Sequence, residues 1–248
     1  MGFLAVGAAL AALAIIWPHR GLVARWRRAR TRVERVLVED ALKHLCSAEL
    51  DARTPTLEGL AGALEVSRNR VARLVERLET LGMVEARGGA FVLTTEGREY
   101  GLRILRTHRL WERYLADRTG VHPTVWHEEA ERVEHELGPD DAEVLAQRLG
   151  HPLYDPHGDP IPSATGEVPP ARGERLDRFA AGDVVVVRHV EDEPAEVFED
   201  LTREGFVPGL QMQVLDAEPP GVTVRAAGRE IALTSLQARN LTAERVAP

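Results

Sequence analysis

The sequence predicts a mainly α-helical chain that ends in a small β barrel. Residues 33–98 show the order helix, helix, turn, helix, hairpin, which is that of a winged helix-turn-helix. Amphipathic helices with histidine- and glutamate-rich faces follow over residues 99–162. After a proline- and glycine-rich linker over residues 163–173, four short runs of β-type residues predict the barrel over residues 174–248.

Composition limits the function classes. The chain has 248 residues, 44% of them hydrophobic and 28% charged, which is typical of a globular protein with a few small domains. The net charge of −8 argues against a general nucleic-acid binder, yet residues 20–35 contain seven arginines and one glutamate. The single cysteine, Cys46, excludes an intrachain disulfide, and its place in an apolar helical pattern predicts a buried thiol.

The N-terminus is apolar. Residues 2–17 carry no charge, and as a helix they would be roughly 24–26 Å long, a little short of the ~30 Å hydrocarbon core of a bilayer. Because arginines follow at once, the positive-inside rule places the rest of the chain in the cytoplasm. We expect a transmembrane segment over residues 1–17, anchored in the inner membrane, and a basic juxtamembrane linker over residues 18–32. A cleaved signal peptide and a start codon assigned too early are the alternatives.

The winged domain is predicted from three helices and a hairpin. The helices cover residues 33–50, residues 56–65 with Thr56 as the cap, and residues 67–82 with Ser67 as the cap. Two short strands around a Gly-Gly turn follow.

The third helix would read DNA, because the recognition helix of such a domain enters the major groove and its N-terminal side chains reach the base edges. Arginine pairs with guanine and asparagine with adenine. The candidate DNA-binding residues lie at the start of this helix: Ser67, Arg68, Asn69, Arg70 and Arg73. A solvated, arginine-rich helix face is the alternative.

Two predicted helices, residues 99–118 and 123–137, carry metal-ligand types at helical spacing. His108 and Glu112 are four residues apart, and so lie on one face of the first helix. On the second helix His127, Glu131 and His135 recur every four residues, with Glu134 beside them. Imidazole and carboxylate together suit a divalent first-row metal ion, while a charged amphipathic surface is the alternative.

Four motifs resemble the diphtheria toxin repressor and manganese transport regulator family over residues 33–162. They are "EDALKHL", "RTHRLWERYL", "WHEEAERVEHEL" and "LGHPLYDPHGDPIP". The C-terminal residues resemble the SH3-like domain of the same family. They resemble still more the FeoA domain of ferrous iron transport, through "LTREGFVPGLQMQVLD" and "GREIALTSLQARNL".

The resemblance implies a homodimeric repressor of metal-uptake genes that binds a palindromic operator when Mn²⁺ or Fe²⁺ is bound. It also implies that residues 99–162 form the metal-binding and dimerisation domain. By resemblance, two metal sites per chain are expected. The ligands of one are Asp40, Glu131, Glu134 and His135, and those of the other are His108, Glu112 and His127.

Some positions depart from the family pattern. Asp40 and Glu131 stand where the iron-sensing members have a methionine and a cysteine, and oxygen ligands favour harder ions, so we expect Mn²⁺ before Fe²⁺. Lys43 stands where the manganese regulator has a further glutamate, which argues against a two-manganese cluster of that regulator's type. The barrel ligands of the toxin repressor, a glutamate and a glutamine, have no clear match here, and Glu193 or Glu196 are the candidate substitutes.

The leading interpretation is therefore a metal-dependent, DNA-binding transcriptional regulator. The alternative is a membrane-anchored accessory protein of ferrous iron transport, whose FeoA-like domain contacts a metal transporter. We do not expect an enzyme, because the chain has no nucleophile elbow, phosphate-binding loop or HExxH motif.

Overall fold

The computed structural model describes residues 22–87 and 90–246, with side chains from residue 32 onward. The predicted transmembrane segment, residues 1–17, and the Gly-Gly turn at residues 88–89 lie outside the described residues. None of the described helices combines the length and apolarity that a bilayer span requires. The chain divides into two compact units, Met1–Gly101 and Leu102–Pro248.

The described residues of the first unit form three helices, an antiparallel hairpin and the beginning of a fourth helix. The three helices and the hairpin are α1 (Leu22–Leu50), α2 (Leu57–Ala63), α3 (Arg68–Thr80), β1 (Val84–Arg87) and β2 (Ala90–Leu93). The order agrees with the predicted winged helix-turn-helix. Helix α1 begins earlier than the periodicity indicated, so residues 22–32, predicted as a linker, are helical. Arginine, alanine and leucine, which dominate this stretch, are good helix formers.

Local signals explain how these elements begin and end. The Thr56 hydroxyl accepts a hydrogen bond of 3.0 Å from the Gly59 backbone N–H and so caps α2. Ser67 occupies the N-cap position of α3, but its side chain makes no capping hydrogen bond. Gly82 has φ +69°, a left-handed conformation that ends the helix and turns the chain into the hairpin. The buried faces form a core that includes Cys46, which is 1% exposed as predicted.

The second unit begins with a small helical core. Helix α4 (Thr95–Arg118) enters the unit at Leu102, and a 3₁₀ turn with Pro123 at its first position leads into α5 (Trp126–Glu134) and then α6 (Pro139–Arg148). The helices pack through a compact apolar cluster: Leu110, Ala142, Leu145, Ala146 and Ile161.

A six-stranded antiparallel sheet completes the second unit. Its order is β3-β8-β4-β5-β6-β7, with the strands β3 (Glu174–Arg175), β4 (Val184–Val190), β5 (Gln211–Asp216), β6 (Gly221–Ala226), β7 (Arg229–Thr234) and β8 (Leu241–Arg245). Helices α7 (Ala195–Arg203) and α8 (Ser235–Arg239) contribute Phe198, Leu201 and Ala238 to its apolar core. The four strands predicted from the sequence are present as β4 to β7, whereas β3, β8 and α8 were not predicted.

The prediction of a closed SH3-like barrel over residues 174–248 is wrong. The edge strands β3 and β7 are not paired with each other among the described residues, and β7 pairs with β6 alone. Strand β3 has two residues and pairs only with β8. Such a short edge offers too few backbone groups to close the sheet, so the domain remains an open sheet.

The stretch predicted as a linker, residues 163–173, is held by side chains of this unit. The Ser163 hydroxyl accepts the Glu167 backbone N–H at 3.0 Å, and the Tyr154 hydroxyl donates to the Pro170 carbonyl oxygen at 3.0 Å. The Arg172 guanidinium lies 3.9 Å from the centre of the Tyr154 ring. The contacts at Ser163, Pro170 and Arg172 therefore fix the connection between the helices and the sheet.

Candidate metal centre

A buried polar cluster lies where α4 meets α5 in the second unit. His108 and Glu112 are only 4% and 2% exposed, and the His108 Nε2 atom lies 3.1 Å from a Glu112 carboxylate oxygen. Their four-residue spacing on α4 places both on the face that the helix buries. Buried charged groups are rare unless they are paired or bind an ion, so this pair marks a candidate site.

Helix α5 brings a second set of ligand types to the same place. Glu134 is completely buried, and one of its carboxylate oxygens is hydrogen-bonded to the His108 Nδ1 atom. The other oxygen lies 3.5 Å from the Nε2 atom of His135, the residue that caps the helix C-terminus. Glu134 therefore occupies the buried side of α5 together with Ala130.

His127 of α5 contacts Glu112 of α4 and Glu131 of its own helix. Its Nδ1 atom lies 3.5 Å from a Glu112 oxygen, and its Nε2 atom lies 3.5 Å from a Glu131 oxygen. The rings of His108 and His127 meet edge to face with their centroids 4.8 Å apart. The ligand atoms of His108, Glu112 and His127 all lie within 4.8 Å of one another, a spacing at which one cation can contact all three. The structure thus brings together the three residues predicted for this site.

Two further residues at this centre were missed by the sequence reasoning. His157, in the turn after α6, is 3% exposed and places its Nε2 atom 3.7 Å from Glu112. Asp192, just after β4, places a carboxylate oxygen 3.3 Å from the His127 Nδ1 atom. The ligand atoms of Glu112, His157 and Asp192 also lie within 4.8 Å of one another. The C-terminal carboxylate that lies at this cluster is Asp192, and the substitution by Glu193 or Glu196 stays a prediction.

The ring nitrogens of His157 support a metal at this position. Neither nitrogen has a hydrogen-bond partner among the described residues, although both are buried. Buried polar atoms are nearly always satisfied, and a coordinated cation would satisfy a histidine nitrogen here. The donors are all nitrogen or oxygen, which fits Mn²⁺ or Fe²⁺, and the second unit contains no cysteine.

The charges of the cluster are strongly coupled. Burial by itself would raise the pKa of Glu112, but His108, His127 and His157 hold that pKa well below its usual range. Burial would lower the pKa of His127, but its hydrogen bonds to Asp192, Glu112 and Glu131 raise that pKa to about 12. Without a metal, His127 is therefore a cation between carboxylates, and an incoming ion must displace its proton.

The other predicted site combines residues of both units. Asp40 is half-buried on α1 of the first unit, while Glu131, Glu134 and His135 belong to the second. Within the second unit, Glu131 contacts His127 and so also borders the cluster described above. The joining of Asp40 to the three others stays a prediction.

The predicted DNA-reading residues share the exposed N-terminal end of α3. Ser67, Arg68, Asn69 and Arg73 are exposed, and Arg70 is half-buried. The guanidinium of Arg68 lies 3.1 Å from Glu58. Arg70 and Arg77 lie 3.8 Å and 3.2 Å from the carboxylate of Glu34 on α1. This basic surface is thus partly neutralised by acidic residues of its own unit.

Similarity to known proteins decides the family. Residues 94–163 match the family described as iron dependent repressor, metal binding and dimerisation domain, and residues 174–245 match the FeoA domain. The iron-dependent repressor IdeR of Mycobacterium leprae is 32% identical over 203 residues, which cover 76% of this chain and 88% of IdeR. The chain belongs to the iron-dependent repressor family.

Other members of the iron-dependent repressor family are similar over comparable lengths. The diphtheria toxin repressor of Corynebacterium glutamicum is 27% identical over 217 residues, which cover 83% of this chain and 94% of that protein. A manganese-dependent transcriptional repressor in complex with manganese has a TM-score of 0.76 and 26% identity, covering 83% of this chain and 100% of the other.

Membership of the iron-dependent repressor family confirms several of the predictions made for this chain. The relatives are metal-dependent transcriptional regulators and not enzymes, and the matched domain is one that binds metal and dimerises. The FeoA domain is confirmed as well. The predicted membrane and transporter partners gain no support from these similarities.

Proposed function

We propose that this repressor binds Mn²⁺ or Fe²⁺ at two sites per chain and, as a homodimer, then binds a palindromic operator of metal-uptake genes. The observation that carries the proposal is the cluster of the buried His108 and Glu112 with the exposed His127, which His157 and Asp192 adjoin. Because operator DNA lies in the cytoplasm, the repressor would act there.

The donor set supports a divalent cation of intermediate hardness. Three imidazoles and two carboxylates form two overlapping groups that share Glu112, and three of the five side chains come from the helices α4 and α5. When bound, the ion would supply the positive charge that holds Glu112 and Asp192 together without protonated histidines. His108, which also contacts Glu134, would connect this cluster to the other proposed ligand set.

The proposed route from metal to DNA uses the second site. A cation held by Asp40 of α1 together with Glu131, Glu134 and His135 of α5 would stabilise one arrangement of the DNA-binding unit. Such an ion can shift the population of the chain toward one arrangement only as far as it binds that arrangement more tightly than the competing ones. The exposed Arg68, Asn69 and Arg73 and the half-buried Arg70 would then meet the major groove, with Ser67 at the start of the helix.

Footprinting on promoter fragments of metal-uptake genes, with and without Mn²⁺, tests this function. The wild-type protein is expected to protect a palindrome only when Mn²⁺ is present. The variant Glu131→Ala/His135→Ala should lose the metal-dependent protection and keep its fold, because it removes ligands from the proposed second site. Glu128→Ala, an exposed change on the same helix, is the matched control and should protect as the wild type does.

Two results would contradict the proposal. If the wild-type protein protects no DNA even at low salt with Mn²⁺, the regulator function is rejected. If calorimetry shows that Glu131→Ala/His135→Ala binds Mn²⁺ as tightly as the wild type, these residues are a solvated helix face and not ligands.

A further inference from the structure

Hydrogen bonds within the turn that contains His157 hold this turn in one conformation. One carboxylate oxygen of Asp155 accepts the backbone N–H groups of His157, Gly158 and Asp159, each at 2.9 Å. The turn is closed at its base by a β-bridge between Tyr154 and Pro160. Because the Asp155 carboxylate satisfies three successive donors, the segment from 155 to 160, here called the clasp turn, has one well-defined shape.

Helix α4 holds the clasp turn on one side. Arg109, which is 9% exposed, donates from a terminal nitrogen to the Pro160 carbonyl oxygen at 2.6 Å. Its guanidinium also lies 3.8 Å from Asp155 and 3.5 Å from Asp159. Arg109 directly follows the metal-site residue His108, so the turn is fixed relative to the helical half of the cluster.

Strand β4 of the open sheet holds the clasp turn on the other side. The Val190 backbone N–H donates to the His157 carbonyl oxygen at 2.9 Å, and the His189 Nε2 atom lies 3.4 Å from the Asp159 carboxylate. Between them, Gly158 meets the backbone of Arg188. Its φ is +103°, and a Cβ atom added there would lie 2.0 Å from the Arg188 carbonyl oxygen.

A β-bulge places that carbonyl group against the turn. The register between β4 and β8 shifts between Val187 and His189, so that Arg188 is the extra residue on β4. Bulges bend a strand and redirect its groups, and they are often found next to functional sites. Here the bulge and the absence of a side chain at Gly158 allow the two backbones to approach closely.

Asp192 lies only two residues beyond the end of β4. Its loop is tied by the Glu191 backbone N–H, which donates to the Asn240 carbonyl oxygen at 2.9 Å, and by the Asn240 side-chain amide, which donates to the Glu193 carbonyl oxygen at 2.7 Å. A displacement of β4 at Arg188 would therefore also displace the Asp192 carboxylate.

We propose that Gly158 and the bulge at Arg188 form the docking point that sets the position of Asp192 in the metal cluster. Gly158 is thus a positioning residue, and this inference rests on the proposed metal-binding function. Any side chain at Gly158 would push β4 away by about 1 Å or more, since non-bonded heavy atoms prefer separations near 3.5 Å. A displacement of that size is enough to disrupt the ligand geometry of a coordination site.

The variant Gly158→Ala in the full-length protein tests the inference, with Gly209→Ala as its matched control. Gly209 has φ +97° and nothing within 4 Å of an added Cβ, so the control reproduces the backbone strain without the clash. Asp192→Asn removes the proposed ligand directly. The readouts are Mn²⁺ affinity by calorimetry and the visible absorption spectrum of bound Co²⁺, which reports the coordination of the ion.

Gly158→Ala is expected to weaken Mn²⁺ binding at this cluster roughly tenfold or more, as changes to residues that orient ligands do. Its Co²⁺ spectrum should become that of Asp192→Asn, while Gly209→Ala should keep the wild-type spectrum. The double variant Gly158→Ala/Asp192→Asn should bind no more weakly than Asp192→Asn alone, because both changes act through one carboxylate.

Other results separate the inference from the proposed function. If Asp192→Asn weakens binding but Gly158→Ala behaves like Gly209→Ala, or if the two losses add, the docking role is overturned and the metal site stands. If the wild type binds no Mn²⁺, the proposed function fails. The contact between Gly158 and β4 can then still be tested by hydrogen exchange at the Val190 amide of the metal-free protein. Faster exchange in Gly158→Ala than in Gly209→Ala supports the docking role, and equal exchange rejects it.

If Gly158→Ala does not fold, a second variant tests the same inference. His189→Ala removes the contact with Asp159 at a position that is partly exposed, and so spares the core. It should weaken Mn²⁺ binding in the same direction as Gly158→Ala, but by less, and shift the Co²⁺ spectrum toward that of Asp192→Asn. Wild-type affinity and spectrum in His189→Ala would overturn the inference.

Discussion

The candidate metal cluster and the predicted DNA-reading surface both contain charged side chains on helices, yet their surroundings differ. In the cluster, His108, Glu112 and Glu134 are at most 4% exposed. On α3, the side chains of Arg68 and Arg70 are 69% and 41% exposed. Water screens the second set, whereas each charge of the first set depends on its partners. Similar helical patterns therefore have different energetic consequences, and burial makes the difference.

The largest effect is expected at the centre of the cluster. Glu112→Ala leaves three histidines without their shared carboxylate, and breaking a buried ion pair typically costs about 3–5 kcal/mol. We expect a loss of that order in the free energy of unfolding, measured by urea denaturation without metal, together with loss of Mn²⁺ binding. Glu76→Ala, an exposed change on α3, should alter stability by no more than about 0.5 kcal/mol. Near-equal stability of the two variants would show that the cluster is not electrostatically coupled.

An intermediate effect is expected on the exposed helix. Arg73→Ala should leave the free energy of unfolding within about 0.5 kcal/mol of the wild type. Its affinity for the operator should fall by about 1–3 kcal/mol if the arginine pairs with a guanine. Fluorescence anisotropy with operator DNA and Mn²⁺ measures this, and Arg203→Ala on α7 is the control. Unchanged affinity would remove Arg73 from the base-reading set.

The smallest effect is expected where an acidic residue neutralises this surface. Glu34 lies beside both Arg70 and Arg77 and is 38% exposed, so Glu34→Ala should cost less than about 1 kcal/mol of stability. The two released arginines would be available to phosphates, so DNA affinity should rise a few-fold and depend more steeply on salt. Titrations at several salt concentrations measure the slope. An unchanged slope would mean that these arginines do not face the DNA.

Helical spacing explains which parts of the site were predictable. Four residues of separation place His108 beside Glu112 and His127 beside Glu131, whatever else surrounds the helices. The pattern does not say which face is buried. Glu134 was expected beside the ligand stripe, and the structure shows it fully enclosed and bonded to His108.

The prediction of a barrel failed for a related reason. The runs of β-type residues correctly indicated strands in the C-terminal domain, because such residues fit the pleated, half-buried surface of a sheet. Closure depends instead on how the edge strands meet. Strand β3 is too short to provide such an edge, and the two-residue run Glu174–Arg175 carries no apolar alternation that would have revealed it.

What the sequence by itself determined is most of the helices and strands, the family resemblance, and the candidate ligands that share one helix face, because these depend on local spacing and on motifs. Only the tertiary structure decided that His157 and Asp192 lie at the candidate centre and that Gly158 meets the bulge at Arg188. These residues lie in a turn and at the end of a strand, far apart along the chain. Their meeting results from the packing of the sheet domain against the helices, and no local periodicity encodes that packing.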